Sequence, residues 1–406
     1  MRRWISLLLV CLGSAWCAFP AAAANTRQIT PEAVEYDFGE QVTLQARLES
    51  EAAISEVTAF LRSEGTDQTY SGTAVIQDGL ITYRHDLTAE SLRAFAAVEY
   101  WFRLTPQTGE PYLSGTYSFY YEDNRFDWQE HFSNNFVIHW YEGDVDFAQD
   151  VLNAAEAGLA RAQGMLSLES INPVDIYVYA SGVEMQSTLR LGGLRWIAGH
   201  ADPDLGVAVV SLPAGPDQRS EIERQIPHEV MHLMLYQSVG QAYYTLPVWL
   251  KEGLASANEM RPNPDYYVIL SKAVEQDTLL PITALCQSFP QDNNVYLAYA
   301  QSDSFIRYLY QQYGQSGLQN MLESYAAGEG CETGSVQSTG LTLSELEQGW
   351  RKTSLNDNLL GIAVEALLPW SALLLGILLV PLGMLLAGRR RWKRQQAGRK
   401  PGEGTG

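Results

Sequence analysis

Ile226-Pro227-His228-Glu229-Val230-Met231-His232-Leu233-Met234-Leu235 decides how this chain is read. The HExxH pattern sits on an apolar background, and on a helix positions i and i+4 share one face about a turn apart. His228 and His232 can therefore aim one ring nitrogen each at a single metal ion, with Glu229 beside it as a general base on a water. The pattern alone is a lead, because a chain with six histidines can meet it by accident. A third ligand would make it strong. Leu246-Pro247-Val248-Trp249-Leu250-Lys251-Glu252-Gly253-Leu254-Ala255 offers Glu252, 20 residues past His232, on what reads as a second helix packed against the first. Two histidines and a glutamate with a fourth position open to water form a donor set suited to Zn²⁺.

HExxH followed at this distance by W-L-x-E-G-x-A resembles the gluzincin metallopeptidases, and specifically their peptidase MA-like domain. The resemblance runs over roughly residues 134–355. Asn135–Tyr141, a helix, Asp175–Tyr179 and Gly206–Leu212 are similar to that domain's small twisted sheet, and Val295–Ser302, Phe305–Leu309 and Leu343–Trp350 are similar to its later helices. The resemblance implies hydrolysis of a peptide bond by a zinc-activated water, with His228, His232 and Glu252 as zinc ligands and Glu229 as the base. It also implies a tyrosine beyond the third ligand that donates to the oxyanion. Tyr299 sits at the comparable point, and Tyr296, one turn earlier, is its rival. The strand Gly206–Ser211 is expected to be the sheet edge along which an extended substrate pairs.

Several neighbours of the motif leave alternatives open. Pro227 removes a backbone donor directly before His228, so the helix is expected either to kink or to begin nearby. Ser256 and Glu259, one and two turns past Glu252, each either orient a ligand histidine or face solvent. His200, in Gly199-His200-Ala201-Asp202, either faces the site or is a surface histidine without a role.

Upstream the texture changes. From about residue 30 to 125 the pattern has period two, as in Val42, Leu44, Ala46, Leu48 and in Val98, Tyr100, Phe102, Leu104. Asp78-Gly79 between two apolar runs reads as a tight hairpin. Several short strands at this density predict an antiparallel β-sandwich of immunoglobulin or fibronectin type. Strands first and helices later make the whole chain α+β. The aromatic run Tyr117, Phe119, Tyr120, Tyr121 is read as core or packing residues.

The two ends read as addresses. Arg2 and Arg3 precede the apolar run Trp4–Phe19, and Ala22-Ala23-Ala24 offers a signal-peptidase site. Leu367–Ala387 is an uncharged stretch of 21 residues, long enough to span ~30 Å of hydrocarbon as a helix. Arg389-Arg390-Arg391-Trp392-Lys393-Arg394 follows it, and the positive-inside rule puts that cluster in the cytoplasm. The expected organisation is a signal peptide at 1–24, a β-sandwich domain at 25–126 and a gluzincin peptidase-like domain at 127–357. A transmembrane helix with its flank at 358–388 and a basic tail at 389–406 complete it.

Residues 25–388 carry 18 basic and 46 acidic side chains, a net of −28. A body so acidic repels a phosphate backbone, which argues against nucleic acid as a partner. Cys11 and Cys17 would leave with the signal peptide, so Cys286 and Cys331 remain, either as one disulfide or as two buried thiols. The reading is a single-pass membrane protein with its bulk outside the cytoplasm, acting on peptide or protein substrates. The partner of the sandwich is not legible, and neither is the choice between endopeptidase and aminopeptidase. A non-catalytic extracellular binding ectodomain on the same scaffold is the alternative; a zinc hydrolase of non-peptide amides is a third.

Overall fold

The computed structural model describes residues 29–49, 53–168, 172–189 and 199–355. The expected signal peptide, transmembrane helix and basic tail lie outside the described residues. Among those residues no helix is long and apolar enough to cross a membrane. The chain divides into two compact units, Met1–Arg125 and Phe126–Gly406.

The first unit is all β: β1 (Ile29–Pro31), β2 (Glu35–Asp37), β3 (Gln41–Leu48), β4 (Ile54–Ser63), β5 (Tyr70–Gln77), β6 (Leu80–Asp86), β7 (Ala96–Pro106), β8 (Tyr112–Leu113) and β9 (Tyr117–Tyr121). Every pairing is antiparallel, along the path β1-β3-β6-β5-β4-β7-β8, with β2 on β3 and β9 on β7. The period-two pattern does what it predicts. Val42, Leu44 and Ala46 of β3, and Val98, Tyr100, Phe102 and Leu104 of β7, turn inward, while their odd neighbours face out. Asp78 and Gly79 both take positive φ (52° and 77°), the geometry of a two-residue type I′ hairpin, and join β5 to β6. One charge is fully buried here: Asp123 accepts from Arg125 Nε at 2.8 Å and Nη2 at 2.6 Å.

In the second unit a small sheet is built from β10 (Gln129–Phe132), β11 (Phe136–Trp140), β12 (Val174–Tyr179), β13 (Gly199–Asp202) and β14 (Val207–Ser211), in the order β10-β11-β12-β14-β13. The central pairings are parallel and the two outer ones antiparallel. Helix α1 (Val145–Met165) makes the crossover from β11 to β12, as parallel neighbours require. Its N-cap Asp144 accepts from the Phe147 N–H, and a stripe of Ala148, Val151, Leu152, Ala155 and Leu159 packs into the core. Helices α2 (Gly182–Leu189), α3 (Gln218–Val239), α4 (Val248–Asn258), α5 (Pro264–Glu275), α6 (Val295–Ala326), α7 (Val336–Thr339) and α8 (Leu343–Trp350) complete the unit. Gly314, with φ of 65°, breaks α6 into two stretches.

The sheet edge corrects one expectation. Gly206–Ser211 was expected at the edge, but β14 lies between β12 and β13 with all five of its residues buried. The physical reason is visible in its composition: an unbroken Val-Ala-Val-Val run suits a strand covered on both faces. The edge strand is β13, whose small and polar residues tolerate partial exposure.

Helix α3 does not begin at Pro227 but runs through it. Proline at 227 has no N–H for the Glu223 carbonyl, and that carbonyl accepts instead from the Met260 N–H at 3.0 Å, just past α4. Asn258 Nδ2 donates to the Pro227 carbonyl at 2.7 Å and to the Gly158 carbonyl at 3.1 Å. Gly158 is where α1 crosses; a Cβ there would lie 2.8 Å from Pro227 Cα. Cys286 and Cys331 form a disulfide, and the Cys286 carbonyl accepts from the Val248 N–H at the start of α4.

Candidate metal centre

Helix α3 presents His228, Glu229 and His232, and α4 brings Glu252 against them. The glycine after Glu252 lets α4 pack closely on α6 behind the site: a Cβ on Gly253 would lie 2.7 Å from both Ile306 Cγ1 and the Ser302 carbonyl. His228 Nε2 lies 3.6 Å and His232 Nε2 3.7 Å from Glu252 Oε2. One ligand atom from each of the three residues falls within 4.8 Å of the others. Ligands bound at about 2.0–2.1 Å around a tetrahedral ion stand about 3.4 Å apart, so the donor set fits one such ion.

Both histidines turn Nε2 to this point and Nδ1 away from it. His228 Nδ1 is 3.2 Å from Glu259 Oε1, and His232 Nδ1 is 3.1 Å from the Tyr243 hydroxyl. Such partners fix ring orientation and tautomer in metal-binding histidines. Of the two orienting residues read from the sequence, Glu259 takes the role for His228. Tyr243 was missed; it lies in the 3₁₀ segment Gly240–Thr245, where no periodic pattern announces a function. Lys251 Nζ stands 4.7 Å over the Tyr243 ring, and burial lowers the pKa of that amine.

Histidine and carboxylate hold each other in their charged forms here. Burial works against a charged His228, yet hydrogen bonds to Glu252 and Glu259 and the charge of Glu229 raise its pKa to about 10. Burial pushes Glu252 up, but His232 and His228 hold it well below the usual carboxylate range. Glu229, Glu252 and Glu259 form no ion pair with a lysine or arginine among the described residues.

These groups line a cavity of about 320 Å³, together with Gly199, His200 and Ala201 of β13 and Tyr296 and Tyr299 of α6. His200 thus belongs to the cavity wall, with Nε2 3.6 Å from Asp202. Gly199 sits so close to the base that a Cβ would come 2.4 Å from Glu229 Oε1. Tyr299 packs edge-on against Phe289 and reaches Glu252 with its hydroxyl. Burial, then the charges of Glu252 and Glu229, raises that hydroxyl well above its ordinary pKa, so it stays a proton donor. Tyr296 is 48% exposed at the rim.

A half-buried donor triad beside a carboxylate in a cleft bounded by a sheet strand is an arrangement suited to a metal-dependent peptidase. The chain belongs to the Peptidase MA superfamily, whose profile matches residues 154–356, half of its length. Among solved structures it is similar to an aminopeptidase N family protein from Idiomarina loihiensis, at 9% identity over 80% of this chain and 70% of that one, with a TM-score of 0.33. A polysaccharide deacetylase from Bacillus cereus matches at 10% identity over 41% of this chain and 56% of that one, TM-score 0.20. A purple acid phosphatase from yellow lupin, Lupinus luteus, matches at 10% identity over 45% and 34%, also with a TM-score of 0.20. No curated protein sequence matches the chain.

Proposed function

We propose that the protein is a membrane-anchored, extracytoplasmic zinc metallopeptidase. The observation that carries the reading is the His228, His232, Glu252 triad with Glu229 alongside, lining one cavity, and with no lysine or arginine ion-paired to these carboxylates among the described residues. In this reading His228, His232 and Glu252 hold the zinc, which when bound lowers the pKa of a water and polarises the carbonyl to be attacked. Glu229 takes a proton from the attacking water as its oxygen bonds to the carbonyl carbon. The same carboxylic acid returns the proton to the departing amine as the C–N bond breaks, so Glu229 ends as it began. The Tyr299 hydroxyl, held protonated, donates to the carbonyl oxygen as negative charge gathers on it, a contribution of ~3 kcal/mol. In this reading an extended peptide adds by main-chain hydrogen bonds along β13, the outermost strand at this end of the sheet among the described residues.

Anchorage rests on sequence pattern: a signal peptide at 1–24, a span within 358–388 and a basic tail at 389–406. Export before folding suits the Cys286–Cys331 bridge. The β-domain at 25–126 has no assigned partner in this proposal.

The test pairs composition with activity. The purified full-length chain is expected to hold one zinc, lost in Glu252→Ala, and to cleave a denatured protein. Glu229→Gln should keep the zinc and lower cleavage about 10²- to 10⁴-fold. A zinc-free chain, or cleavage undiminished in Glu229→Gln, would sink the reading and favour the non-catalytic binding ectodomain.

A further inference from the structure

Beyond the triad and Glu229, the cavity has a wall that carries Arg224, Asn263 and Tyr266, with Glu259 also near Tyr266. Arg224, His228 and His232 stand at i, i+4 and i+8 of α3, one stripe of a helix, so Arg224 lies about 6 Å along the axis from the first histidine. Its guanidinium has five N–H donors, and among the described residues its one ion-pair partner is Glu221. Glu221 Oε2 also accepts from Gln225 Nε2 at 2.7 Å, so a single carboxylate braces both side chains beneath the cavity. Asn263 spends its carbonyl oxygen on the Asp265 N–H at 3.0 Å, and its NH₂ makes no hydrogen bond among the described residues. Arg224 is close enough to Tyr266 to act electrostatically on its hydroxyl. Donors therefore converge on this wall, with a fixed positive charge among them.

The strand direction says which part of a substrate arrives there. Gly199 lies over Glu229, and from it β13 runs to Asp202 and on to Asp204, which accepts from the Tyr244 hydroxyl at 2.8 Å. Tyr244 follows the C-terminal end of α3. A peptide antiparallel to β13 thus enters at the Tyr244 end, crosses Glu229 and leaves over Arg224. At about 3.3 Å per residue, the residue just after the cleaved bond is the one whose side chain or terminus reaches the guanidinium.

We infer that Arg224, with Asn263 and Tyr266, forms a subsite that selects substrates bearing a carboxylate on the residue C-terminal to the cleaved bond. The carboxylate belongs either to an Asp or Glu side chain or to the end of the peptide. This rests on the peptidase reading and sharpens it. The net charge of −28 on residues 25–388 does not oppose it, because at about 8 Å Debye screening the contact is read locally.

The test uses the zinc-loaded full-length chain in detergent micelles and two matched pairs of quenched peptides. One pair differs by Glu or Gln after the cleaved bond; the other ends at that residue as a free acid or an amide. In at least one pair the carboxylate member should show a kcat/KM about 10-fold higher, the discrimination expected of a hydrogen-bonded charge. Arg224→Gln should bring that ratio to about one, and Arg224→Lys should retain part of it. A preference in the first pair assigns the side chain, and in the second the terminus. Ratios of one in the wild type, or a ratio that survives Arg224→Gln, overturn the subsite while cleavage itself leaves the peptidase standing. Fluorescence anisotropy of the same peptides on Glu229→Gln separates the remaining cases. Tighter binding of the carboxylate member that Arg224→Gln removes, without cleavage by the wild type, would sink the peptidase reading and keep the subsite. Neither cleavage nor Arg224-dependent binding would sink both.

Discussion

Asp123 in the first unit and the carboxylates of the metal centre in the second are buried in opposite ways. In the first, Asp123 is wholly enclosed and Arg125 answers it with a forked pair of hydrogen bonds. In the second, Glu229, His232 and Glu259 are each at least nine-tenths buried beside Glu252, and among the described residues no lysine or arginine forms an ion pair with the three carboxylates. A buried charge is tolerated only when paired, protonated or bound to a metal. The first unit balances its buried charge with an arginine; the second sets its carboxylates against histidines, a donor set that suits a metal ion. How a protein answers its buried charge is thus a better guide to its chemistry than where it is charged.

Chelation should open this contrast widest. With zinc at a thousandfold over its Kd the metal contributes about 4.1 kcal/mol to the unit that binds it. Calorimetry in zinc and in EDTA should therefore move the transition of residues 126–355 and leave that of 29–125 in place; an equal shift in both would break the comparison. Arg125→Ala makes the reciprocal attack. It removes the forked guanidinium from Asp123 and should destabilise the first unit by about 3 kcal/mol, with zinc content unchanged. A smaller effect probes the histidine supports. Tyr243→Phe removes the hydroxyl at His232 Nδ1 and should weaken zinc binding about 10- to 100-fold in a competition titration with a chromophoric chelator. An affinity equal to wild type would mean the hydroxyl only packs.

The smallest effect is a titration. Hydrogen bonds from the backbone and side chain of Thr342 hold the exposed Glu345 below its ordinary pKa of 4.5, closing a capping box at the start of α8. A lowered carboxyl contributes stability that is present above the unfolded pKa and is lost as pH falls through the folded one. The Tm difference between wild type and Glu345→Gln should accordingly shrink as pH drops below about 4.5 and be constant above it. A difference that persists in acid would place the effect outside the cap.

How much of this was legible from the residues varies with their physics. Helical spacing alone puts His228 and His232 on one face with Glu229 beside them, whereas Glu252 was read from its W-L-x-E-G-x-A setting on a second helix. The antiparallel first unit could be read because inward and outward residues alternate without interruption through β3 and β7. The edge strand was misplaced because β13 is four residues of Gly-His-Ala-Asp with no period, while its neighbour β14 carries the strong apolar signal. Tyr243 was missed for a related reason: a 3₁₀ segment between two helices has no repeating face to expose it. Glu259 stayed undecided beside Ser256 because both are helix-end positions, and only the approach of α3 chooses between them. Arg224 was in plain view four residues before His228, yet charge on a helix ordinarily means a solvated face.

Pro227 has one more consequence. By leaving the Glu223 carbonyl unclaimed, it lets the residue just after α4 bond into the middle of α3, and Asn258 ties the same stretch to α1. Two of the three candidate ligands lie on one side of this junction and the third on the other, so the junction ties together the two helices that would share a metal ion. Coordination chemistry tolerates errors of only about 0.2 Å in ligand distance. A substitution that restored the ordinary helix bond, Pro227→Ala, would give α3 a more regular ladder and the centre a wider spread of ligand distances. It would be a more stable helix around a noisier metal site.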